Sequence, residues 1–231
     1  MLAFKRHKEE LDVLGYSLTD VVLSKKEIRL LGAAIKKYSS NFSVRQLVKK
    51  VPQVLAIILK NPSFTELFQT ICGTDYFLSK AIYFNKQNRS NWFVGYHQDI
   101  SIGVEKKIIA NGYAHWTRKK DLLGVIPPVT ILESIVTFRI HLDNVNDNNG
   151  ALKIIEKSHQ KGIIRIDENF DPSPFGREVI CNARQGQVML MKPLLLHASD
   201  RSISKSDRRI IHLEFCNKDI PMGWSEKKKI S

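Results

Sequence analysis

The sequence has no apolar run that approaches the ~20 residues needed by a membrane-spanning helix. Its long apolar stretches, such as residues 54–59, have the length found in protein cores. The first 13 residues carry charges where a secretion signal would have its apolar segment, which argues against export. Cysteines are few: the three thiols, Cys72, Cys181 and Cys216, are far apart and lack metal-site spacing. We therefore expect reduced thiols and a cytoplasmic location.

Acidic residues are scarce relative to basic ones. The 231-residue chain has 36 lysines and arginines against 23 aspartates and glutamates, a formal net charge of +13. Basic side chains concentrate in residues 25–50, where Glu27 is the single acid. Such a segment is typical of a surface for an anionic partner or, more commonly, of a solvated helix face. Apolar residues at 43% and charged residues at 26% indicate a globular domain and exclude a disordered or fibrous chain.

The first third of the chain, residues 1–74, shows helical patterns. Ser24 has the clearest start signal, because Glu27 three residues later completes a capping box. Apolar spacing also predicts a short helix followed by a strand before this point. The predicted elements are a helix and strand within residues 11–22, a helix from Ser24 to about Lys37, a helix from Ser43, and a helix from Ser63 to about Cys72.

The remainder of the chain is rich in short β-branched and aromatic segments. The predicted strands cover residues 77–85, 92–101, 134–143, 151–155, 179–182, 187–191 and 208–216. Residues 102–130 are predicted to be a lid or partly helical, and residues 162–178 an irregular loop. Helices followed by strands predict a single α+β or mainly β domain, a jelly roll buttressed by the N-terminal helices. Its core would be residues 75–217, with a tail at 218–231.

Two predicted strands alternate in an unusual way. In residues 134–143 every second side chain is apolar, and the others include Arg139 and His141. Residues 208–215 alternate similarly, with His212 on the polar face. The polar face of such a strand usually lies in water, but in a sheet that closes on itself it lines an interior pocket. The pattern alone is compatible with both arrangements.

A third predicted strand carries His97 and Asp99, which project from one face because they are two residues apart. An imidazole and a carboxylate so placed supply two ligands of the 2-His-1-carboxylate triad of non-haem iron(II) oxygenases. His197, at the end of a later apolar strand, is the candidate for the second histidine. Such a triad leaves room for a bidentate 2-oxo acid and O₂. Arg208, on the following strand, suits the far carboxylate of that acid.

With these residues in place, the sequence resembles the phytanoyl-CoA dioxygenase family of iron(II)- and 2-oxoglutarate-dependent oxygenases, most closely a bacterial branch of it. The resemblance runs from about Lys80 to Phe215 and is carried by FNKQNRSNWFVGYHQD, FRIHLDNVNDNNGALKIIEKSHQKG and GQVMLMKPLLLHASDRSISKSDRRIIHLEF. The middle segment departs from the family in having Glu156-Lys157 where Pro-Gly is usual. The resemblance implies a cupin-like double-stranded β-helix.

The resemblance also implies roles for individual residues. His97, Asp99 and His197 would bind iron(II). Arg208 would bind the distal carboxylate of the cosubstrate 2-oxoglutarate, and Ser199, two residues after the third ligand, would donate a hydrogen bond to it. The three metal ligands and Arg208 would be the catalytic residues.

Further polar residues are candidates for roles around this centre. Arg139 lies where some family members have an aromatic cosubstrate contact, so it is either a cosubstrate ligand or a barrel-wall partner of Glu214 or Asp143. Lys86 is an additional candidate for binding 2-oxoglutarate. Two histidines are expected only to line the pocket: His141 and His212.

The expected activity is hydroxylation of a small molecule with O₂, releasing succinate and CO₂. An intact Asp99 argues against halogenation, because chloride takes that position in related halogenases. Two alternatives stay open: a nucleic-acid demethylase, which the basic charge would suit, and a non-catalytic metal-binding jelly roll. Demethylases carry a second arginine six residues after the cosubstrate arginine. Glu214 stands there instead, so a nucleic-acid partner is not expected.

Overall fold

The computed structural model describes residues 3–86, 92–119, 122–204 and 206–230. The helices are α1 (Lys5–Leu14), α2 (Lys25–Ala34), α3 (Leu47–Lys50), α4 (Gln53–Leu59), α5 (Pro62–Cys72) and α6 (Val129–Leu132). The strands are β1 (Tyr16–Val21), β2 (Ser43–Arg45), β3 (Phe77–Lys86), β4 (Val94–His97), β5 (Ile102–Val104), β6 (Ala114–Lys119), β7 (Leu122–Ile126), β8 (Ile135–His141), β9 (Leu152–Ile155), β10 (Glu178–Cys181), β11 (Gln187–Met191), β12 (His197–Ser199), β13 (Arg208–Cys216) and β14 (Lys228–Lys229). Within the described ranges, every helix is too short or too polar to span a bilayer.

Two antiparallel sheets face each other as a jelly roll. The larger sheet has the strand order β1-β11-β8-β13-β3-β14, and β2 also pairs with β3. The smaller sheet has the order β10-β9-β12-β4. A third sheet, β5-β7-β6, lies beside them. This arrangement confirms the predicted α+β jelly roll, and β14 shows that the predicted tail contributes a strand to the larger sheet.

The N-terminal helices cover the outer face of the larger sheet, as the sequence predicts. Their apolar side chains share one core with the outward-facing residues of β8 and β13. Aromatic rings form its centre: Phe68 of α5 lies 4.9 Å from Phe215, and Phe138 lies 5.1 Å from Phe215 and 5.7 Å from Phe64, between ring centroids. Apolar burial of this size is the main source of folding free energy.

Replacing the central ring of this core tests the packing. Phe138 is completely buried. We expect Phe138→Ala to lower the free energy of unfolding by about 3–5 kcal/mol, because the lost ring leaves a cavity that its neighbours fill only in part. Urea denaturation measures the change. A loss below about 1 kcal/mol would contradict the packing described here.

Helix starts agree with the sequence where a side chain caps them. Both capping-box bonds at Ser24 are present, with the Ser24 N–H donating to Glu27 at 2.8 Å. The helix after it ends earlier than predicted, and a 3₁₀ turn covers Lys36–Tyr38. The helix predicted to start at Ser43 begins later, at Leu47, as α3. Residues from Ser43 form β2, because an edge of β3 is available for pairing, and that non-local contact outweighs local propensity.

The segment 102–130 is the other correction. It forms the three-stranded β5-β7-β6 sheet, so a helix is wrong for all of it except the single turn of α6. The strand β6 is largely exposed and has no apolar alternation, so the period-two pattern of a half-buried strand is missing from its sequence. The other strand predictions are confirmed within two residues, except that β4 covers only the centre of residues 92–101.

Candidate active site

A cavity of about 500 Å³ opens between the larger and smaller sheets, and residues of the β5-β7-β6 sheet also line it. The polar faces of β8 and β13 point into the protein and not into water. Arg139, His141 and His212 are all buried. Asp143, beyond the end of β8, is the exception, because it pairs with Arg209 at 2.6 Å. The interior-pocket interpretation of the two alternating strands is therefore correct.

The structure brings together the three residues predicted to bind a metal. The ligand atoms of His97, Asp99 and His197 all lie within 4.8 Å of one another. His197 Nε2 is 3.7 Å from Asp99 Oδ2, and the two imidazole centroids are 4.1 Å apart. Antiparallel pairing of β12 with β4 produces this, because His197 and His97 are direct cross-strand partners. One metal ion could therefore contact all three side chains.

Backbone carbonyls fix the orientation of both imidazoles. His97 Nδ1 lies 2.9 Å from the Gly95 carbonyl, and His197 Nδ1 lies 2.8 Å from the Leu195 carbonyl. Because a carbonyl can only accept, each Nδ1 carries the proton, and each Nε2 has a free lone pair for a metal. This outer hydrogen bond is the usual support of a metal-binding histidine.

The electrostatic environment keeps this cluster ready to bind a cation. Burial lowers the pKa of His197 to about 4, so its ring is neutral at pH 7. Burial alone would raise the pKa of Asp99, but the neighbouring His197, His212 and Lys80 side chains lower it well below its usual range. The site thus offers one carboxylate and two imidazoles, the donor set of a non-haem iron(II) site.

Arg208 lies in the same cavity and is buried. Its Nη1 donates to the Gly150 carbonyl, while its Nε has no hydrogen-bond partner among the described residues. Lys86, its direct cross-strand neighbour, donates to the Asp200 carbonyl and lies 3.4 Å from the Ser199 hydroxyl. Arg208 and Ser199, both predicted cosubstrate residues, therefore line one end of the cavity, and the third such residue, Lys86, is directly beside them.

This end of the cavity has more positive charge than the surrounding protein neutralises. Burial, and then repulsion from Arg139, lowers the pKa of Arg208 to about 9. Burial, and then repulsion from Arg208, lowers the pKa of Lys86 to about 8. Uncompensated buried cations are strongly unfavourable, and a bound anion would remove that cost. A dicarboxylate such as 2-oxoglutarate matches this end in charge and in hydrogen-bonding groups.

Arg139 does not make the ion pairs considered from the sequence. Its Nη1 lies 3.2 Å from His212 Nδ1, and its Nε has no partner in the described structure. Glu214 pairs instead with Lys80 at 2.8 Å, and Asp143 pairs with Arg209. The barrel-wall salt bridge is therefore wrong. Arg139 lines the cavity as a buried cation, which leaves its role as a cosubstrate contact a prediction.

The sequence analysis missed the role of Lys80 and gave Glu214 none beyond that of a wall partner. Both line the cavity. Glu214 also belongs to a second group of possible metal ligands, whose other members are Asp99 and His212. Lys80 and the buried Arg139 already supply positive charge to that cluster, so a second metal ion does not fit there. Alternation along β3, which places Lys80 and Lys86 on one face, is the signal that could have found Lys80.

Iron(II) and 2-oxoglutarate fit the two halves of the site. The three clustered donors suit the metal, and the unpaired Nε of the buried Arg208 suits a carboxylate. His141, in contrast, has no hydrogen-bond partner in the described residues on either ring nitrogen, and burial lowers its pKa to about 3. It is a buried neutral residue that is not among those lining the cavity, so its predicted lining role is not confirmed.

The family comparison agrees with this site. The sequence matches the family model described as phytanoyl-CoA dioxygenase (PhyH) over residues 15–210, which includes the three clustered donors and the cosubstrate candidates Lys86, Arg139, Ser199 and Arg208. No curated protein matches the sequence.

Solved structures with a similar fold have low sequence identity to this chain. The epimerase SnoN, in complex with Fe³⁺, alpha ketoglutarate and nogalamycin RO, has a TM-score of 0.70 at 12% identity, covering 99% of this chain and 93% of that one. EctD from S. alaskensis, in its apoform, has a TM-score of 0.70 at 14% identity, covering 96% and 81%. HygX from Streptomyces hygroscopicus, with nickel and 2-oxoglutarate bound, has 0.67 at 14%, covering 94% and 88%. They support the fold alone.

Proposed function

The chain belongs to the phytanoyl-CoA dioxygenase family, and from this premise we propose that it hydroxylates a small molecule. The family consists of non-haem iron(II)- and 2-oxoglutarate-dependent oxygenases, so the chain is an enzyme of this class. When bound, iron and 2-oxoglutarate supply the oxidising power that inserts oxygen from O₂ into a C–H bond, with release of succinate and CO₂. The residues of the chain supply binding, orientation and charge.

We assign the metal to His97, Asp99 and His197. The observation that supports the function best is the clustering of these three donors in the same cavity that holds the uncompensated Arg208. The two Nδ1–H groups hold the imidazoles in the tautomer that presents Nε2 to the metal. The carboxylate of Asp99 provides the negative charge that two neutral imidazoles lack.

We assign the cosubstrate to the part of the cavity that lies between these ligands and Arg208. Arg208 would bind the distal carboxylate of 2-oxoglutarate, and the Ser199 hydroxyl and Lys86 ammonium would donate further hydrogen bonds to it. Arg139 would contribute positive charge from the cavity wall. This placement holds the oxo acid at a fixed distance from the three metal ligands, which is the protein's contribution to orientation.

Hydroxylation is the outcome we propose because Asp99 retains its carboxylate beside both histidines, which leaves no ligand position for a transferable halide. The solved structures with this fold include an epimerase and a carbocyclase by their own descriptions, so the fold supports other oxidations as well. The non-catalytic alternative would require that this complete set of donors and cations has no turnover.

The function is tested by succinate formation from 2-oxoglutarate. The protein is loaded with iron(II) under anaerobic conditions and then exposed to O₂ without added substrate. We expect slow, iron-dependent succinate formation, which His97→Ala removes. Iron binding without any succinate would overturn catalysis and favour the metal-binding alternative. Once a substrate is identified, isotopically labelled O₂ must place one labelled oxygen atom in the product if the reaction is hydroxylation.

A further inference from the structure

We propose that the substrate is a small polar anion: a phosphate or carboxylate group binds Arg45 and Lys119, and a hydroxyl or amino group donates to Glu214. This inference rests on the function proposed above and names its substrate class. It comes from the half of the cavity on the far side of the metal ligands from Arg208.

Strand register shows which residues lie in that half. Along β13 the inward-facing residues run from Arg208, through His212, to Glu214, and six residues of strand span roughly 20 Å. The carboxylate of Asp99 lies within 4.8 Å of ligand atoms of both His212 and Glu214. The metal ligands are therefore at the Glu214 end of the strand. A substrate that approaches the metal away from the cosubstrate must lie beside Glu214.

Glu214 is a fixed hydrogen-bond acceptor at this point. Its side chain is 3% exposed, and its Oε1 accepts from Lys80 at 2.8 Å and from His212 Nε2 at 3.0 Å. Lys80 also donates to the Ser101 carbonyl at 2.9 Å, so the ammonium is held on two sides. The other oxygen, Oε2, accepts from no residue in the described part of the chain. A substrate hydroxyl or amine is the group that would complete it.

The entrance to the same half of the cavity is positively charged. Arg45 is exposed and pairs across β2–β3 with Ile82, so it is on the cavity face of the larger sheet. Lys119, at the end of β6, lines the cavity from the third sheet. Among the described residues neither makes an ion pair. The carboxylate of Glu226, which also lines the cavity, accepts backbone N–H groups, one of them from Ala81 at 2.8 Å, and makes no ion pair with either cation among the described residues.

These charges make an acyl chain a poor substrate. Its methylene groups would lie against the Lys80–Glu214 pair and would leave Glu214 Oε2 without a hydrogen-bond donor. An anion with hydroxyl or amino groups satisfies the same surfaces: its negative group faces two unpaired cations, and its donor faces Oε2. The cavity thus selects against apolar substrates as well as in favour of polar ones.

Glycerol phosphate is a probe that carries both groups, and glycerol is its uncharged match. Saturation-transfer NMR on protein loaded with zinc and saturating 2-oxoglutarate, which fills the Arg208 end, reports binding without turnover. We expect saturable binding of glycerol phosphate and none of glycerol. Arg45→Ala/Lys119→Ala is expected to weaken glycerol phosphate binding by about tenfold, because it removes both charge-assisted contacts. Glu214→Gln is expected to weaken it as well, with the anion contacts intact.

The double variant Lys25→Ala/Lys26→Ala is the matched control. It removes the same net charge from the exposed start of α2 and should bind glycerol phosphate like the original protein. Equal binding by Arg45→Ala/Lys119→Ala, equal weakening in the control, or no binding by the original protein would overturn the substrate class. Succinate formation without substrate distinguishes a failure of this inference from a failure of the proposed function, because it reports oxygenase activity whether or not the anion site exists.

Discussion

Asp99→Ala is expected to abolish iron-dependent succinate formation and to weaken iron(II) binding by more than about a hundredfold. Loss of a group that only supports a metal ligand already weakens binding by about 10–100-fold, and Asp99 is the proposed ligand itself. It is also the single carboxylate of the set with His97 and His197. Without it, two neutral imidazoles remain, and these bind a hard divalent cation poorly. Iron titration and succinate quantification measure the two effects separately.

Asp20→Ala is the control for this experiment. The Asp20 side chain is 94% exposed, so its removal should leave iron binding and succinate formation unchanged. Circular dichroism with thermal unfolding shows whether Asp99→Ala retains the fold. Wild-type succinate formation by a folded Asp99→Ala protein would exclude Asp99 as a ligand. Loss of activity with full iron affinity would place its role elsewhere in the cavity.

The metal ligands could be predicted because two of them depend on local geometry. His97 and Asp99 share a face through the two-residue period of a strand, and no knowledge of the fold is needed for that. His197 is 100 residues from His97, and it was a candidate from its place at the end of a later apolar strand and from the resemblance, not from local geometry. The structure adds the cause: β12 pairs with β4 so that His197 and His97 are directly opposite. Antiparallel pairing therefore places two imidazoles that are far apart in sequence with their centroids 4.1 Å apart.

Interactions that depend on register could not be predicted. A wall ion pair with Glu214 or Asp143 is one of the two roles predicted for Arg139, and the pair with Glu214 fails by two positions along the strand. In the structure His212 is directly opposite Arg139, while Glu214 is opposite Thr137 on one side and Lys80 on the other. Alternation along each strand sets which face a side chain is on, but a shift of two residues keeps the face and changes the opposite partner, so alternation alone does not set which pairs meet.

The third sheet shows a second limit of sequence analysis. Residues of β6 have no apolar alternation, and β2 has only three residues, so neither has a period long enough to detect. Both nevertheless carry cavity residues, Lys119 and Arg45. The residues proposed to bind cosubstrate and metal lie on, or just beyond, the regular strands of the jelly roll, while the two cations proposed to bind the substrate anion are on short or irregular additions to it. The catalytic half of the site was accordingly more predictable than the substrate half.

Arg208→Met is expected to raise the KM for 2-oxoglutarate by more than about a hundredfold, since truncating one partner of a buried charged contact costs roughly 3 kcal/mol. The same substitution should stabilise the ligand-free protein. There the guanidinium is buried with an unpaired Nε beside Lys86 and Arg139. Replacing an uncompensated cation by an apolar side chain is expected to raise the free energy of unfolding by about 1 kcal/mol.

Thermal unfolding with and without 2-oxoglutarate distinguishes this account from simple damage to the fold. The cosubstrate should raise the Tm of the original protein and leave that of Arg208→Met unchanged. The control is Arg209→Met, one position along the same strand but on its outer face, where Arg209 pairs with Asp143. It should lower stability while keeping the response to 2-oxoglutarate. If Arg208→Met still responds to 2-oxoglutarate, the distal carboxylate binds elsewhere, and Lys86 with Arg139 becomes the cationic pair that must hold it.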